Sequence, residues 1–549
     1  MNVRKAVLVG FAATAAASLV LAGCSSTEET DPTANPSSSS SATGGAMVSG
    51  GIISANGSEP QNPLVPTNTN ETGGGKILDA MFAGLVYYDA EGAAHNDVAE
   101  SITQIDPTTY EIKINPDQTF TNGEAVDANS FVDAWQYGAL LSNAQLNSYF
   151  FEDIDGFSYD EDSPLTGLTV VDDLTFDVKL NKEAADFPQR LGYSAFYPLP
   201  ASAFDDLEAF GNNPVGNGPY MLAGPDAWQH NVQIELVTNP DYAGPRKPVN
   251  DGLTIVFYAT QDAAYADLQQ NNVDVIDGIP DNALATYQDD LGDRAVNQPA
   301  AIFQSFTIAQ NLPHFEGEEG MLRRQALSMA INRPEITQVI FNDTRTPASD
   351  FTSPVLDGWS DSLTGAEVLA YNPDEAVKLW AQADAISPWD GTFQIAYNAD
   401  GGHQAWVDAT TNSIKNVLGI EASGDPFPTF AEVRTEITDR TIKSAFRTGW
   451  QADYPGLFNF LGPLYATGAG SNDGDYSSAE FDGLLQKGNT SADSATANDF
   501  FQQAQEVLLK DLPAIPLWYS NVNGGFAEGV NNVQFGWNSV PLYYQITKG

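Results

Sequence analysis

The clearest patterns along the chain are short alternations of apolar and polar residues, each long enough for one half-buried strand. Tyr110, Ile112 and Ile114 alternate with Glu111 and Lys113, and Leu174, Phe176, Val178 and Leu180 repeat the period of two. Between them, Asn122–Leu141 changes to a helical period. A turn at Asn122-Gly123 leads to Asp127 as N-cap, with Phe131 and Trp135 one turn apart. Upstream, Ile77, Leu78, Met81, Phe82 and Leu85 form a stripe that predicts one helix over Lys76–Tyr88. Together these elements predict a small α+β unit over 72–187.

From Pro188 the pattern changes. Pro214–Leu222 is a Gly/Pro turn entering a strand, and Leu253–Ile276 reads strand, helix, strand, the mark of a right-handed parallel crossover. Further strands are predicted at Phe303–Asn311, Phe393–Tyr397 and Pro513–Tyr519. Helices are predicted over Met321–Asn332, from Asn332 through Phe341, and over Glu375–Ala385, Thr410–Leu418 and Asp499–Lys510. Strands and helices so interleaved predict an α/β fold. A chain of 549 residues is too long for one core, so at least two lobes are expected.

One stretch resists this scheme. Phe446–Tyr465 crowds Arg447, Trp450, Asp453 and Tyr454 around Gly449, with Pro455 and Gly456 following. The mixture is poor material for a plain core strand or surface helix, and it suits a place where a polar ligand meets an apolar wall. A loop with an internal Arg–Asp pair and core aromatics is the structural alternative.

Composition narrows the function. Against 72 acidic residues stand 23 basic ones, a net charge of −49 that disfavours nucleic acid. The four histidines are far apart and show no metal-ligand spacing, so no metal site is expected, and no cofactor. Gly73-Gly74-Gly75-Lys76 lacks the spacing of a phosphate loop. No nucleophile arrangement is visible, and a glycoside hydrolase with paired carboxylates is a remote alternative. The chain is not expected to be an enzyme.

The N-terminus reads as an address. Arg4 and Lys5 precede an apolar run from Ala6 to Leu21, which predicts a signal peptide over 1–23. Leu21-Ala22-Gly23-Cys24 resembles the lipobox of bacterial lipoproteins and implies a lipid on Cys24, the single cysteine. Residues 24–50 are rich in Ser, Thr, Pro and Gly, a flexible tether. The expected location is the extracytoplasmic face of the bacterial membrane.

Six segments, in order, resemble extracellular solute-binding family 5, the peptide receptors of bacterial ABC importers. They are Asp117–Trp135, Pro214–Leu222, Asn239–Gly244, Arg324–Arg333, Gly449–Leu464 and Leu512–Tyr519. The resemblance implies a two-lobed periplasmic-binding-protein-like fold closing on its ligand by a hinge. Lobe I is expected at 51–71, 188–302 and 516–549, lobe II at 303–515, and 72–187 as an extra subdomain. The implied ligand is a peptide, and the implied partners are a permease and ATPase subunits; a monomer is expected. Receptors for an oligosaccharide, nickel or haem are alternatives within the family.

By the same resemblance Asp453 meets the peptide's α-ammonium, while Gly449, Trp450 and Gln451 offer backbone groups and an aromatic wall, beside Tyr454. Arg447, and Arg440 at a shifted spacing, stand near arginines that meet a ligand carboxylate. A turn carboxylate, a core tryptophan and internal ion pairs are the structural alternatives for these residues. Gln451 stands where the best-known receptor has Cys, and Asp133 where a ligand-touching Tyr is common.

Overall fold

The computed structural model describes residues 50–549 apart from 400, 401, 429 and 492. Cys24, the expected signal peptide and the tether before Gly50 lie outside the described residues.

The architecture is organised by one 12-stranded mixed sheet. Its main order is Ala422–Phe427, Phe393–Asn398, Ala445–Gln451, Ala295–Thr307, Ala514–Phe526, Val275–Ile276, Ile52–Gly57, Gly252–Phe257, Gln233–Thr238, Tyr220–Leu222. Ile52–Gly57 lies parallel to both Gly252–Phe257 and Val275–Ile276, and helix Gln261–Gln269 connects those two, as the strand–helix–strand pattern predicts. A separate four-stranded antiparallel sheet pairs Ala99–Asp106, Thr109–Ile114, Thr175–Lys179 and Leu168–Asp172 in that order. Helix Ala128–Ala139 begins on the Asp127 cap and packs its Phe131 and Trp135 against Phe176 of this sheet.

Two large cores flank the centre of the main sheet. The first gathers residues from Ile53 to Leu291, then Val522 to Ile546. The second gathers residues from Ala301 to Tyr519. Each receives one outsider: Tyr454 belongs to the first core and Trp537 to the second. Two 13-residue antiparallel strands, Ala295–Thr307 and Ala514–Phe526, run from one core to the other, and their register breaks between Pro299 and Phe303.

Three elements differ from expectation. The predicted helix over Lys76–Tyr88 is helix Thr72–Met81 followed by strand Val86–Tyr88. The Asn217 amide takes both Ala83 backbone groups, its Oδ1 accepting from Ala83 N and its Nδ2 donating to Ala83 O, each at 3.0 Å, so the helix cannot continue. The strand expected at Phe303–Asn311 is Ala295–Thr307, starting earlier and ending sooner, and the one expected at Pro513–Tyr519 is Ala514–Phe526, running on at its C-terminal end, because each is the other's partner over these lengths. Phe446–Tyr465 divides into strand Ala445–Gln451 and helix Leu457–Tyr465, hinged on Pro455-Gly456.

Helix Arg333–Phe341, capped by Asn332 as predicted, is fastened to the central strand by a buried arginine. Arg333 donates to the carbonyls of Pro516 (2.8 Å), Ser328 (2.9 Å) and Leu369 (2.6 Å), and has no ion-pair partner among the described residues. Removing it strands three buried carbonyls, each costing roughly 1–3 kcal/mol. Arg333→Leu should therefore lower stability by about 3 kcal/mol or more in urea denaturation. An unchanged midpoint would show that these contacts are dispensable.

Candidate ligand-binding cleft

Strand Ala445–Gln451 is bonded unequally on its two sides. Residues Phe446–Gln451 pair antiparallel with Ile302–Thr307. On the other side, Phe393–Asn398 pairs only with Ala445 and Phe446 before diverging. Among the described residues no strand covers that edge from Thr448 to Gln451. Backbone N–H and C=O groups there are a template for an added strand. Gly449 lies where this strand passes close to its neighbour: a Cβ there would stand 3.0 Å from Phe303 O.

Past the strand, Pro455-Gly456 ends the extended run and helix Leu457–Tyr465 starts. Its third residue, buried Asn459, folds back over the turn. Asn459 Oδ1 accepts from Asp453 N and Trp450 Nε1, each at 3.0 Å, and Nδ2 donates to Asp453 Oδ2 at 3.0 Å. One amide thus sets the position of both residues. The Asp453 carboxylate is half-buried and has no cation within ion-pair distance among the described residues. Burial pushes its pKa up to about 6, against a smaller opposing pull from the Asn459 bond.

Asp453, Ala452 and Gln451 form one wall of a cleft of about 410 Å³. The opposite walls come from 69–80, 87–89, 192–197 and 536–544. Tyr88 is fixed there by donating to Gln189 O at 2.6 Å and by an edge contact with Trp537. A second cavity of about 190 Å³ lies beside the open strand edge and is lined by Arg447, Gly449 and Trp450 together with Phe430 and Arg434. Arg447 Nε donates to Asn398 Oδ1 at 2.9 Å, and its guanidinium stacks on the Phe430 ring.

The expected site residues therefore separate into three groups. Asp453 and Gln451 line the large cleft, and Arg447, Gly449 and Trp450 line the smaller cavity. Tyr454 and Arg440 line neither. Tyr454 is buried and donates to Asp186 Oδ2 at 2.6 Å, and Asp186 in turn holds Arg190, whose guanidinium lies over the Tyr454 and Phe458 rings. Arg440 donates to both Asp475 oxygens at 3.0 Å. Asp133 is exposed on its helix, away from both cavities. The Gly73-Gly74-Gly75 run opens helix Thr72–Met81, where Glu71 already accepts from Gly73 N and Gly74 N.

Sequence reading missed Asn459, Tyr88, Tyr193 and Asp79. Asn459 carried one signal, an amide at the third position of a helix begun by Pro-Gly. The others come from strands and helices distant in sequence, and only the fold brings them to Asp453.

The model of bacterial extracellular solute-binding proteins, family 5, middle region, matches residues 93–472. The periplasmic oligopeptide-binding protein OppA of Salmonella typhimurium is 25% identical over 488 residues, 85% of this chain and 87% of that protein. The solved structure of the Escherichia coli murein tripeptide binding protein MppA matches with a TM-score of 0.74 at 19% identity, over 90% of this chain and 98% of that one. Haemophilus influenzae OppA in complex with RPPGFSPFR matches with a TM-score of 0.72 at 21% identity, over 91% and 99% respectively. The fold is the two-lobed α/β architecture expected from the sequence.

An acid whose pKa is raised on folding holds its proton more tightly when folded, so stability falls as pH rises through that range. For Asp453 the loss runs from the ordinary 3.8 to about 6. Asp453→Asn should accordingly raise the thermal midpoint of the unliganded protein at about pH 7.5, with the gain fading below about pH 4. A variant less stable than the parent at neutral pH would mean the carboxylate is structurally satisfied.

Proposed function

The chain belongs to the bacterial extracellular solute-binding proteins of family 5, and from that premise we propose how it works: it captures peptides between two closing lobes and hands them to a membrane permease driven by ATPase subunits. The family consists of substrate-binding proteins of transporters, which act outside the cytoplasm. The observation that carries the peptide reading is the open edge from Thr448 to Gln451, leading to a carboxylate that lacks a cation among the described residues. A peptide backbone matches the edge, and its α-ammonium matches Asp453. Arg447, beside the smaller cavity, meets a carboxylate from the ligand, while Gly449 and Trp450 border the backbone site. Gln451 and Tyr454 support it from either side of Asp453, Tyr454 through its buried bond to Asp186. Arg440 acts through its ion pair with Asp475.

Closure is assigned to the register break between Pro299 and Phe303, where the two long strands pass between cores. On this reading lobe I is 51–71, 188–302 and 516–549, lobe II is 303–515, and 72–187 is a subdomain attached to lobe I. The protein works as a monomer, held at the membrane by a lipid on Cys24 after removal of 1–23, with 24–50 as tether. The OppA and MppA proteins, named for oligopeptide and murein tripeptide binding, support the ligand class.

Titration calorimetry with short peptides tests the reading. Free-amino peptides should bind, and N-acetylation or Asp453→Asn should each weaken binding by about tenfold or more, equivalent to about 1.4 kcal/mol. Equal affinity for free and acetylated peptides removes Asp453 from the ammonium role. Binding of sugars, nickel or haem without any peptide overturns the peptide reading itself.

A further inference from the structure

The large cleft holds a second carboxylate whose surroundings are those of an incomplete cation site. Asp79 projects from helix Thr72–Met81 into the cleft, half-buried. Tyr197 Oη donates to its Oδ1 at 2.8 Å. The nearby cations are committed elsewhere. Arg246 Nε donates to Asp97 Oδ2 at 3.1 Å, and its two terminal nitrogens donate to the backbone carbonyls of Asp79 and Phe82, each at 2.9 Å. Lys76, one turn earlier on the helix, pairs with Asp277. No ion pair reaches the Asp79 carboxylate among the described residues. Of the other acids of the cleft apart from Asp453, Glu71 caps its helix and Asp89 pairs with His95.

A separate observation points to a missing ligand group. Tyr543, 6% exposed, forms part of the cleft wall, and its buried hydroxyl has no hydrogen-bond partner among the described residues. Its hydroxyl feels the charges of Asp79 and Asp277. Tyr88 and Tyr193 feel both Asp79 and Asp453, so the two carboxylates face one aromatic wall. A carboxylate, an unanswered hydroxyl and tyrosine faces together suit an ammonium or guanidinium.

We propose that Asp79 and the Tyr543 hydroxyl form a subsite for a cationic side chain of the ligand, separate from the α-ammonium site at Asp453. The inference rests on the peptide reading and deepens it: the preferred peptides carry a Lys or Arg. Burial pushes the Asp79 pKa up, and an arriving cation relieves that by pairing with it.

The test is titration calorimetry with tripeptides in which each position in turn is Lys or its near-isosteric neutral counterpart Met. In the parent protein, Lys at one position should bind about tenfold more tightly than Met there. Asp79→Asn, which keeps an acceptor for Tyr197, should abolish that advantage and leave the Met peptide within about twofold. Tyr543→Phe should reduce the advantage severalfold without touching the Asp79 charge. If Met peptides bind and Lys is no better at any position, or if the advantage survives Asp79→Asn, the subsite is overturned while peptide capture stands. If neither series binds, peptide capture fails and the subsite with it.

Discussion

The backbone of Ala301 is the point on which the molecule's geometry turns. It lies inside the register break of the long strands, where strand partners on that side are lost. Its N–H donates to Trp537 O at 2.8 Å and its carbonyl accepts from Ala452 N at 3.0 Å. Two cleft walls, 451–453 and 536–544, are therefore tied to one residue between the two cores. Buried backbone groups must find partners, and here the partners released by the strand break are spent on positioning the binding surface.

Burial of charge explains how the walls are held. Asp186, Arg190 and Asp153 form a buried cluster, with Arg190 donating to Asp186 at 2.7 Å and to Asp153 at 2.7 Å. Such a cluster is costly unless every member is satisfied, and Tyr454 supplies part of the satisfaction from the segment that carries Asp453. Gln189 adds a bond to Pro455 O at 2.7 Å. The turn bearing Asp453 is thus held by a network whose members are answered, whereas the Asp453 carboxylate itself is answered only by an amide. Arg333 and Arg190 show the two solutions to buried guanidinium in this protein, carbonyls in one case and carboxylates in the other.

Periodicity made most elements legible because local burial dictates them: the Asp127 and Asn332 caps and the strand at Thr109–Ile114 lie where the pattern puts them. It failed at Ala83, where a distant Asn217 outcompetes the helix for backbone groups, and at Phe446–Tyr465, where the crowding of polar and aromatic residues hid an ordinary strand and helix. The same limit governs the site. Asp453 stood out through its local motif, but Tyr454 next to it looked equivalent and turns to the opposite side, into the first core. Arg440 and Arg447 likewise look alike in sequence, yet only one lines a cavity. Asp79 and Tyr543 carry no local signal at all, since their meaning arises from each other once the fold brings them to one cleft.

A folded protein gains nothing in stability from a half-buried carboxylate that lacks a cation, nor from an open strand edge beside a cavity. Both are costs, of desolvation in one case and of unpaired backbone in the other. Asp453 is nevertheless braced by Asn459 rather than allowed to swing toward water, and the Thr448–Gln451 edge is left uncovered while its opposite side is paired. The two costs lie within one turn of each other, and a single ligand with an extended amide backbone and an ammonium end removes both at once. On the reading proposed above, that coincidence is what distinguishes Asp453 from an ordinary turn carboxylate.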